Sequence, residues 1–299
     1  MENKCGFVSI VGRPNVGKST LLNGILGQKI VITSNKAQTT RKRMRGVYTD
    51  TRGQIVFFDT PGVHKPIDNL GEFLIDEVVE SANDTDLIML LLDASQKIGN
   101  GDKWIINNII KNKNIIVVFN KIDLVENENK LKENIEEYKQ YFDEKTHFVE
   151  ISAINKKNIE NLLDVLFEKL PSGPNIYPDD YVTDETMRSI ACEIIREKVL
   201  NNTKDEVPHS VFVNIEKYEE NDNIDRIFAI IYVNQDSQKG ILIGKNGSML
   251  KKIGTEARCE LENTFDKKVY LNLNVKVEKN WKKNKKLIKN KLYKEISKI

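Results

Sequence analysis

The stretch GRPNVGKS, Gly12–Ser19, constrains this 299-residue chain more than any other. It follows the apolar run FVSIV (Phe7–Val11) and leads into the helix-periodic KSTLLNGIL (Lys18–Leu26). GxxxxGKS in that position predicts a loop whose backbone N–H groups converge, with the helix N-terminus, on an anionic ligand. Phosphate suits it: Lys18 adds a point charge at the β and γ oxygens, and the Ser19 hydroxyl is placed to ligate magnesium. Gly12, Arg13, Pro14, Asn15, Val16, Gly17, Lys18, Ser19 and the following Thr20 are therefore candidate nucleotide contacts.

The same loop implies a folding frame. Apolar runs QIVFFDT (54–60), DLIMLLLDA (86–94), NIIVVFNKID (114–123) and THFVEISA (146–153) alternate with helix-periodic segments as far as Leu170. Near-continuous apolar strands between helices predict a mostly parallel sheet with helices on both faces. Three further motifs fall at strand ends, where open α/β sheets bind ligands. DTPG supplies Asp59, Thr60, Pro61 and Gly62, with Asp59 placed to hold magnesium through a water and the Gly62 N–H to meet a γ-phosphate. NKID supplies Asn120, Lys121 and Asp123; guanine specificity is expected from Asn120 and from Asp123, whose carboxylate matches the N1–H and amino group of guanine and finds neither on adenine. SAI supplies Ser152, Ala153 and Ile154, with backbone near the base oxygen.

The stretch 170–180, LPSGPNIYPDD, holds Pro171, Pro174 and Pro178, has no period and reads as a linker. Domains are expected over 1–172 and 184–299, joined by 173–183. The charge is uneven: residues 239–299 carry 17 Lys and Arg against 6 Asp and Glu, although the whole chain is only +2. A basic tail on an acidic body predicts a polyanionic partner. The second domain reads as a helix, two strands, then GILIGKNGSMLKKIG (240–254), in which a strand-like apolar run enters a glycine loop and a helix. A last strand and a Lys-rich helical tail follow. This loop lacks GK followed by Ser or Thr, so a second triphosphate site is not expected. Strand, GxxG, helix and strand match instead a KH arrangement that clamps the backbone of single-stranded RNA. Gly244, Lys245, Asn246, Gly247, Lys251 and Lys252 are its candidate RNA contacts, the glycines for close approach and the lysines for countercharge.

No run approaches the roughly 18 apolar residues of a membrane span, and the N-terminus MENKCGFVSI lacks signal-peptide features. Cys5, Cys192 and Cys259 are scattered, so neither disulfide nor zinc site is expected.

The nucleotide motifs resemble those of the GTPase superfamily, and ITSNKAQTTRKRMRG (32–46) resembles the switch segment of the Era family. That resemblance implies a P-loop GTPase domain followed by an α+β type II KH domain. It also implies that Thr40, with Thr39 as the alternative, binds magnesium only beside a γ-phosphate. Val63 stands where Ras-like enzymes carry a water-orienting glutamine, and Asn15 matches an asparagine that helps hold potassium. The implied catalytic set is Lys18, Thr40, Asp59, Gly62 and Asn15, and the cofactors are GTP/GDP, Mg2+ and K+. YPDDYVTD, EIIREKVL, EVPHS and VYLNLNVKVEKNW extend the resemblance across the second domain. It implies a monomeric cytoplasmic GTPase that binds the 3′ end of 16S rRNA and assists small-subunit assembly, with peripheral contact of the basic tail at the inner face of the membrane. The alternatives are a potassium-stimulated GTPase of RNA modification or membrane transport, and a KH module whose nucleotide domain is inactive. Transport would require spans, modification a nucleophile or cofactor site, and inactivity a broken motif.

Overall fold

The structure is a computed structural model that describes every residue except 1, 35, 37, 38, 64, 65, 67, 68, 112 and 284–299. The expected helical tail lies in 284–299, outside the described residues. The chain divides into two compact units, the first mainly up to Asp184 and the second mainly from Glu185, with Ile32–Thr39 grouped with the second.

In the first unit, strands β1 (Lys4–Val11), β2 (Met44–Asp50), β3 (Gly53–Asp59), β4 (Leu87–Asp93), β5 (Ile115–Asn120) and β6 (His147–Glu150) form one sheet in the order β2-β3-β1-β4-β5-β6. Helices α1 (Lys18–Leu26), α2 (Asn69–Asn83), α3 (Asn100–Asn108), α4 (Glu128–Lys139) and α5 (Ile159–Lys169) connect them. All strand pairs are parallel except β2 with β3. β2 and α3 are additions to the sequence reading: β2 begins in the last three residues of the segment read as a switch and runs on to Asp50. All seven residues of LIMLLLD in β4 are buried, because the strand is central and covered on both faces. Two apolar clusters result, one joining α1 and α5 to Ile10, Ile55, Phe57 and Met89, the other placing Ile105, Ile135 and Tyr138 against Leu90, Val117 and Phe119. Because β3 and β4 flank β1 on opposite sides, the loop after β1 opens at the point where strand order reverses.

The proline-rich stretch is ordered against this unit. Gln54 Oε1 accepts from the N–H groups of Ile176 and Tyr177, both at 2.9 Å. Tyr177 and Tyr181 stack at 4.7 Å and cover Val47, Val56 and Phe58.

The second unit runs α6 (Met187–Asn202), α7 (Val207–Ser210), β7 (Phe212–Glu219), β8 (Ile224–Val233), α8 (Asp236–Ile243), α9 (Ser248–Phe265) and β9 (Lys268–Val277). β7 pairs antiparallel with β8, and β8 pairs parallel with β9. A parallel pair needs a long crossover, and α8 with α9 supplies it. α6 and α9 place Ile194, Ile195, Ile253, Ala257 and Leu261 in one core with Val213, Ile227, Ala229 and Val275. The strand-like reading of GILI is corrected: it is the last turn of α8, with Leu242 buried and Ile241 52% exposed. The helix starts where Gln238 Oε1 accepts from the N–H groups of Asn234 and Gln235 at 2.9 and 3.2 Å. Four apolar residues alone carry no period that separates helix from strand, and this capping decides it. Past β9, Trp281 is buried, donates from Nε1 to the Ser210 carbonyl at 2.8 Å and meets the Phe212 ring edge-on. Among the described residues, no helix is long and apolar enough to cross a membrane.

Candidate nucleotide and RNA sites

β1 delivers Val11 to the glycine loop, and α1 leaves it at Lys18. Asn15 and Gly17 both take left-handed backbone, φ 65° and 102°. A Cβ on Gly12 would sit 2.4 Å from the Leu91 carbonyl oxygen, and one on Gly17 2.3 Å from Asn120 Nδ2, so both glycines are demanded by close packing. Inside the loop the buried Lys18 ammonium donates to the carbonyls of Gly12 and Arg13 at 3.1 and 3.0 Å. Burial lowers its pKa to about 8, and the charge of Asp59 offsets part of that. Arg13 turns its guanidinium sideways to Asp102 and Gln96.

Beside the loop, three predicted residues meet. Ser19 Oγ donates to Asp59 Oδ2 at 2.8 Å, Thr40 Oγ1 donates to the same oxygen at 3.1 Å, and the two hydroxyls lie 3.1 Å apart. Asp59 is fully buried, and its Oδ1 has no hydrogen-bond partner. Burial raises its pKa, opposed by Lys18 and the two hydroxyls. Two hydroxyls and one carboxylate, its Oδ1 unsatisfied, form a hard oxygen set that fits magnesium, an ion that keeps several of its waters. No group of three or more His, Cys, Asp or Glu able to hold a metal occurs among the described residues. Thr39 does not join the set: its hydroxyl donates to the carbonyls of Lys36 and Ser34 at 2.6 and 3.4 Å. Gly62 lies against the glycine loop, where a Cβ would approach Pro14 Cα at 2.7 Å. Thr60 anchors the DTPG turn by donating to the Ile10 carbonyl at 2.6 Å, and the Val63 N–H donates to the Gly12 carbonyl at 3.2 Å. Val63 itself is buried in the core.

At the third loop, Asn120 is buried and engaged at both ends, donating to the Val16 carbonyl at 2.8 Å and accepting from the Ala153 N–H at 2.9 Å. Asp123 is exposed and accepts from Ser152 Oγ at 2.5 Å. Ile154 is 70% exposed, leaving its backbone at the rim. Lys121, at φ 65°, donates to Asp93 Oδ2 at 2.8 Å. Asp93 and Asp102, both buried, escaped the motif reading; the signals available were an aspartate ending an apolar strand and a Gly-x-x-Asp spacing at a helix start.

In the second unit, Gly244, Asn246 and Gly247 all take positive φ, 71°, 53° and 77°, between α8 and α9. Lys245, Lys251 and Lys252 are exposed, with Lys252 sharing its charge with Glu256 at 3.9 Å. The loop therefore presents three exposed lysines at the junction of α8 and α9, next to the exposed Ile241, while the Gly244 and Gly247 N–H groups donate to the Gly240 and Gly244 carbonyls at 2.9 and 3.2 Å.

Family models match both units: "50S ribosome-binding GTPase" over residues 7–121 and "KH domain" over residues 206–282. The chain is 46% identical over 283 residues to GTPase Era of Staphylococcus haemolyticus, covering 94% of each. It is 47% identical over 292 residues to GTPase Era of a Thermoanaerobacter species, covering 97% of this chain and 96% of that protein. Among solved structures, a variant of Aquifex aeolicus Era bound to GDP and aluminium fluoride is 40% identical, with a TM-score of 0.93 over 96% of this chain and 98% of that one. An Era structure holding MgGDPNP and nucleotides 1506–1542 of 16S ribosomal RNA gives the same TM-score and identity over 97% and 98%. With such identity along nearly its whole length, on a frame that brings the nucleotide motifs together, the chain belongs to the Era family of GTPases.

Proposed function

We propose that this GTPase is a magnesium-dependent switch whose glycine loop in the second unit binds the 3′ end of 16S rRNA, and that it thereby assists assembly of the small ribosomal subunit. The observation that carries the reading is the meeting of Ser19, Thr40 and the unsatisfied Asp59 Oδ1 beside a buried Lys18. The 40% identical Era complex with MgGDPNP and a 16S segment supports the choice of nucleotide and RNA.

In this reading, Lys18 leaves the Gly12 and Arg13 carbonyls for the β and γ oxygens. Ser19 and Thr40 ligate magnesium directly and Asp59 through a water, while the metal supplies charge neutralisation at the phosphates. The Gly62 N–H meets the γ-phosphate. Asp123 reads guanine, with Ser152 Oγ and the backbone of Ala153 and Ile154 framing the base, and Asn120 positions these loops. Because Val63 is buried and its side chain carries no polar group, that side chain cannot orient the attacking water; the closed switch would have to do so, and potassium, which Asn15 would help hold, would supply positive charge beside the phosphates. The domain limits 1–172, 173–183 and 184–299, a monomeric state, a cytoplasmic location and peripheral membrane contact through the basic tail belong to the same proposal.

Phosphate release from GTP in potassium and in sodium buffers, with and without a 16S 3′-end oligonucleotide, tests it. The expected result is slow, magnesium-dependent hydrolysis faster in potassium, and RNA binding lost on Gly247→Asp. Equal affinities for ATP and GTP, or RNA binding indifferent to that substitution, would overturn it.

A further inference from the structure

We propose that Asp102 is a positioning residue for nucleotide binding: from the start of α3 it holds the glycine loop, through Arg13, in the shape that receives phosphates. The Asp102 side chain is wholly buried, and its Oδ1 accepts from Arg13 Nε at 2.7 Å. Its Oδ2 accepts from the Gly99 N–H at 2.9 Å and from the Tyr138 hydroxyl at 3.2 Å, so the carboxylate is fixed by a helix start and by α4 before it meets Arg13.

The surroundings are shaped for the arginine stem. A Cβ on Gly101 would lie 2.8 Å from Arg13 Cδ, and one on Gly99 3.7 Å from its Nη1. Any larger residue at 101 would push the stem away. The other guanidinium arm, Nη2, donates to Gln96 Oε1 at 3.2 Å; Gln96 Nε2 donates to Asp93 Oδ2 at 3.2 Å, which also accepts from Lys121 of the NKID motif.

What Arg13 does for the loop is carried by its backbone. The residue lies between Gly12 and Pro14, so pinning its side chain to α3 fixes the course of the loop before any phosphate arrives; the contact of its carbonyl with the Lys18 ammonium is given up on binding. A loop released from Asp102 spends less time in the receiving shape, and apparent affinity falls by the fraction of time lost. The loss acts on GDP and GTP alike, since both use the same preformed loop, and so appears in KM rather than kcat.

The inference rests on the reading of Gly12–Ser19 as the phosphate site, and Lys18→Ala in the same titration separates the two. Fluorescent GDP and GTP analogues are titrated against the full-length parent, Asp102→Asn, Arg13→Gln, the double variant and Lys18→Ala, with melting temperatures and steady-state hydrolysis alongside. Each single variant is expected to weaken both nucleotides about tenfold and the double no more than either single, with kcat nearly unchanged in Asp102→Asn. Arg13→Gln alters a partly exposed side chain and reads the same link if Asp102→Asn folds poorly. Lowered melting temperature with parental nucleotide affinity, or single effects that multiply in the double, would overturn the positioning role while a dead Lys18→Ala leaves the phosphate site standing. Parental affinity in Lys18→Ala would overturn both.

Discussion

Asn120 bridges two loops: its side chain donates to the Val16 carbonyl at 2.8 Å and accepts from the Ala153 N–H at 2.9 Å. Each of its polar ends thus has a protein partner, with one N–H and one lone pair left over, and Asp123 is the proposed main discriminator between guanine and adenine. Asn120→Ala would strand two backbone groups at about 1–3 kcal/mol each where they stay dry. Differential scanning fluorimetry should show a lowered melting temperature, and GTP and GDP should weaken together. Asp123→Asn should leave the melting temperature near parental and exchange guanine for xanthine nucleotide, because Asp123 is exposed and the swap reverses only a donor and an acceptor. A folded, tight-binding Asn120→Ala would sink the bridging role.

Thr40 and Val63 should respond in opposite ways. Thr40→Ala removes a hydroxyl from the Ser19 and Asp59 set, so kcat should fall roughly 10²-fold with little change in GDP affinity. Val63→Ala opens a small cavity in a buried cluster and should cost about 1–2 kcal/mol of stability while turnover stays near parental. Single-turnover hydrolysis paired with urea unfolding reads both. An inactive Val63→Ala of unchanged stability would place a catalytic role there.

Lys18 predicts a pH signature. Its folded pKa, about 8, lies below the ordinary 10.5, so the unfolded chain binds more protons between those values. Folding stability without nucleotide should therefore rise with pH across that window, by about 3 kcal/mol from this group at most, with the penalty fully present below pH 8. Phosphates favour the charged ammonium, so GDP binding should take up a proton in the same window. Calorimetry at pH 8.5 in two buffers of different ionisation enthalpy should show about three-quarters of a proton taken up, and Lys18→Arg should lack it. Buffer-independent heats in the parent would contradict the lowered pKa.

The two glycines of the RNA loop are not equivalent probes. A Cβ on Gly244 would press on Met249 at 2.8 Å, whereas one on Gly247 meets nothing within 4 Å. Gly247→Asp should keep the fold, apart from the strain of a positive φ, and abolish RNA binding by setting negative charge against phosphate. Gly244→Asp should lower the melting temperature as well. Contact with about four phosphates gives a slope near −3 for log affinity against log salt. Titrations of a 16S 3′-end oligonucleotide at several potassium chloride concentrations measure it, and a parental slope in Gly247→Asp would assign the binding to the lysines alone.

The motifs GRPNVGKS, DTPG, NKID and GKNG were legible in the sequence because each is local: a few adjacent residues set a loop, the first three after a strand and the last between α8 and α9. The alternation of buried strands with helices was legible for the same reason. Tertiary structure decided what those motifs touch. Asn120 reads as a base contact in its motif, and only folding shows its amide spent between Val16 and Ala153. Thr39 and Thr40 are adjacent and chemically identical, and only the path of the chain brings one hydroxyl to Asp59 and turns the other to Lys36. GILI became the end of a helix because capping by Gln238 outweighed a short apolar run. Asp102 lies 89 residues from Arg13, and its Gly-x-x-Asp spacing marks a helix start but not the partner that arrives from another strand end. Sequence determines chemistry where recognition is contiguous; the fold decides it where desolvation and long-range hydrogen bonding choose the partner.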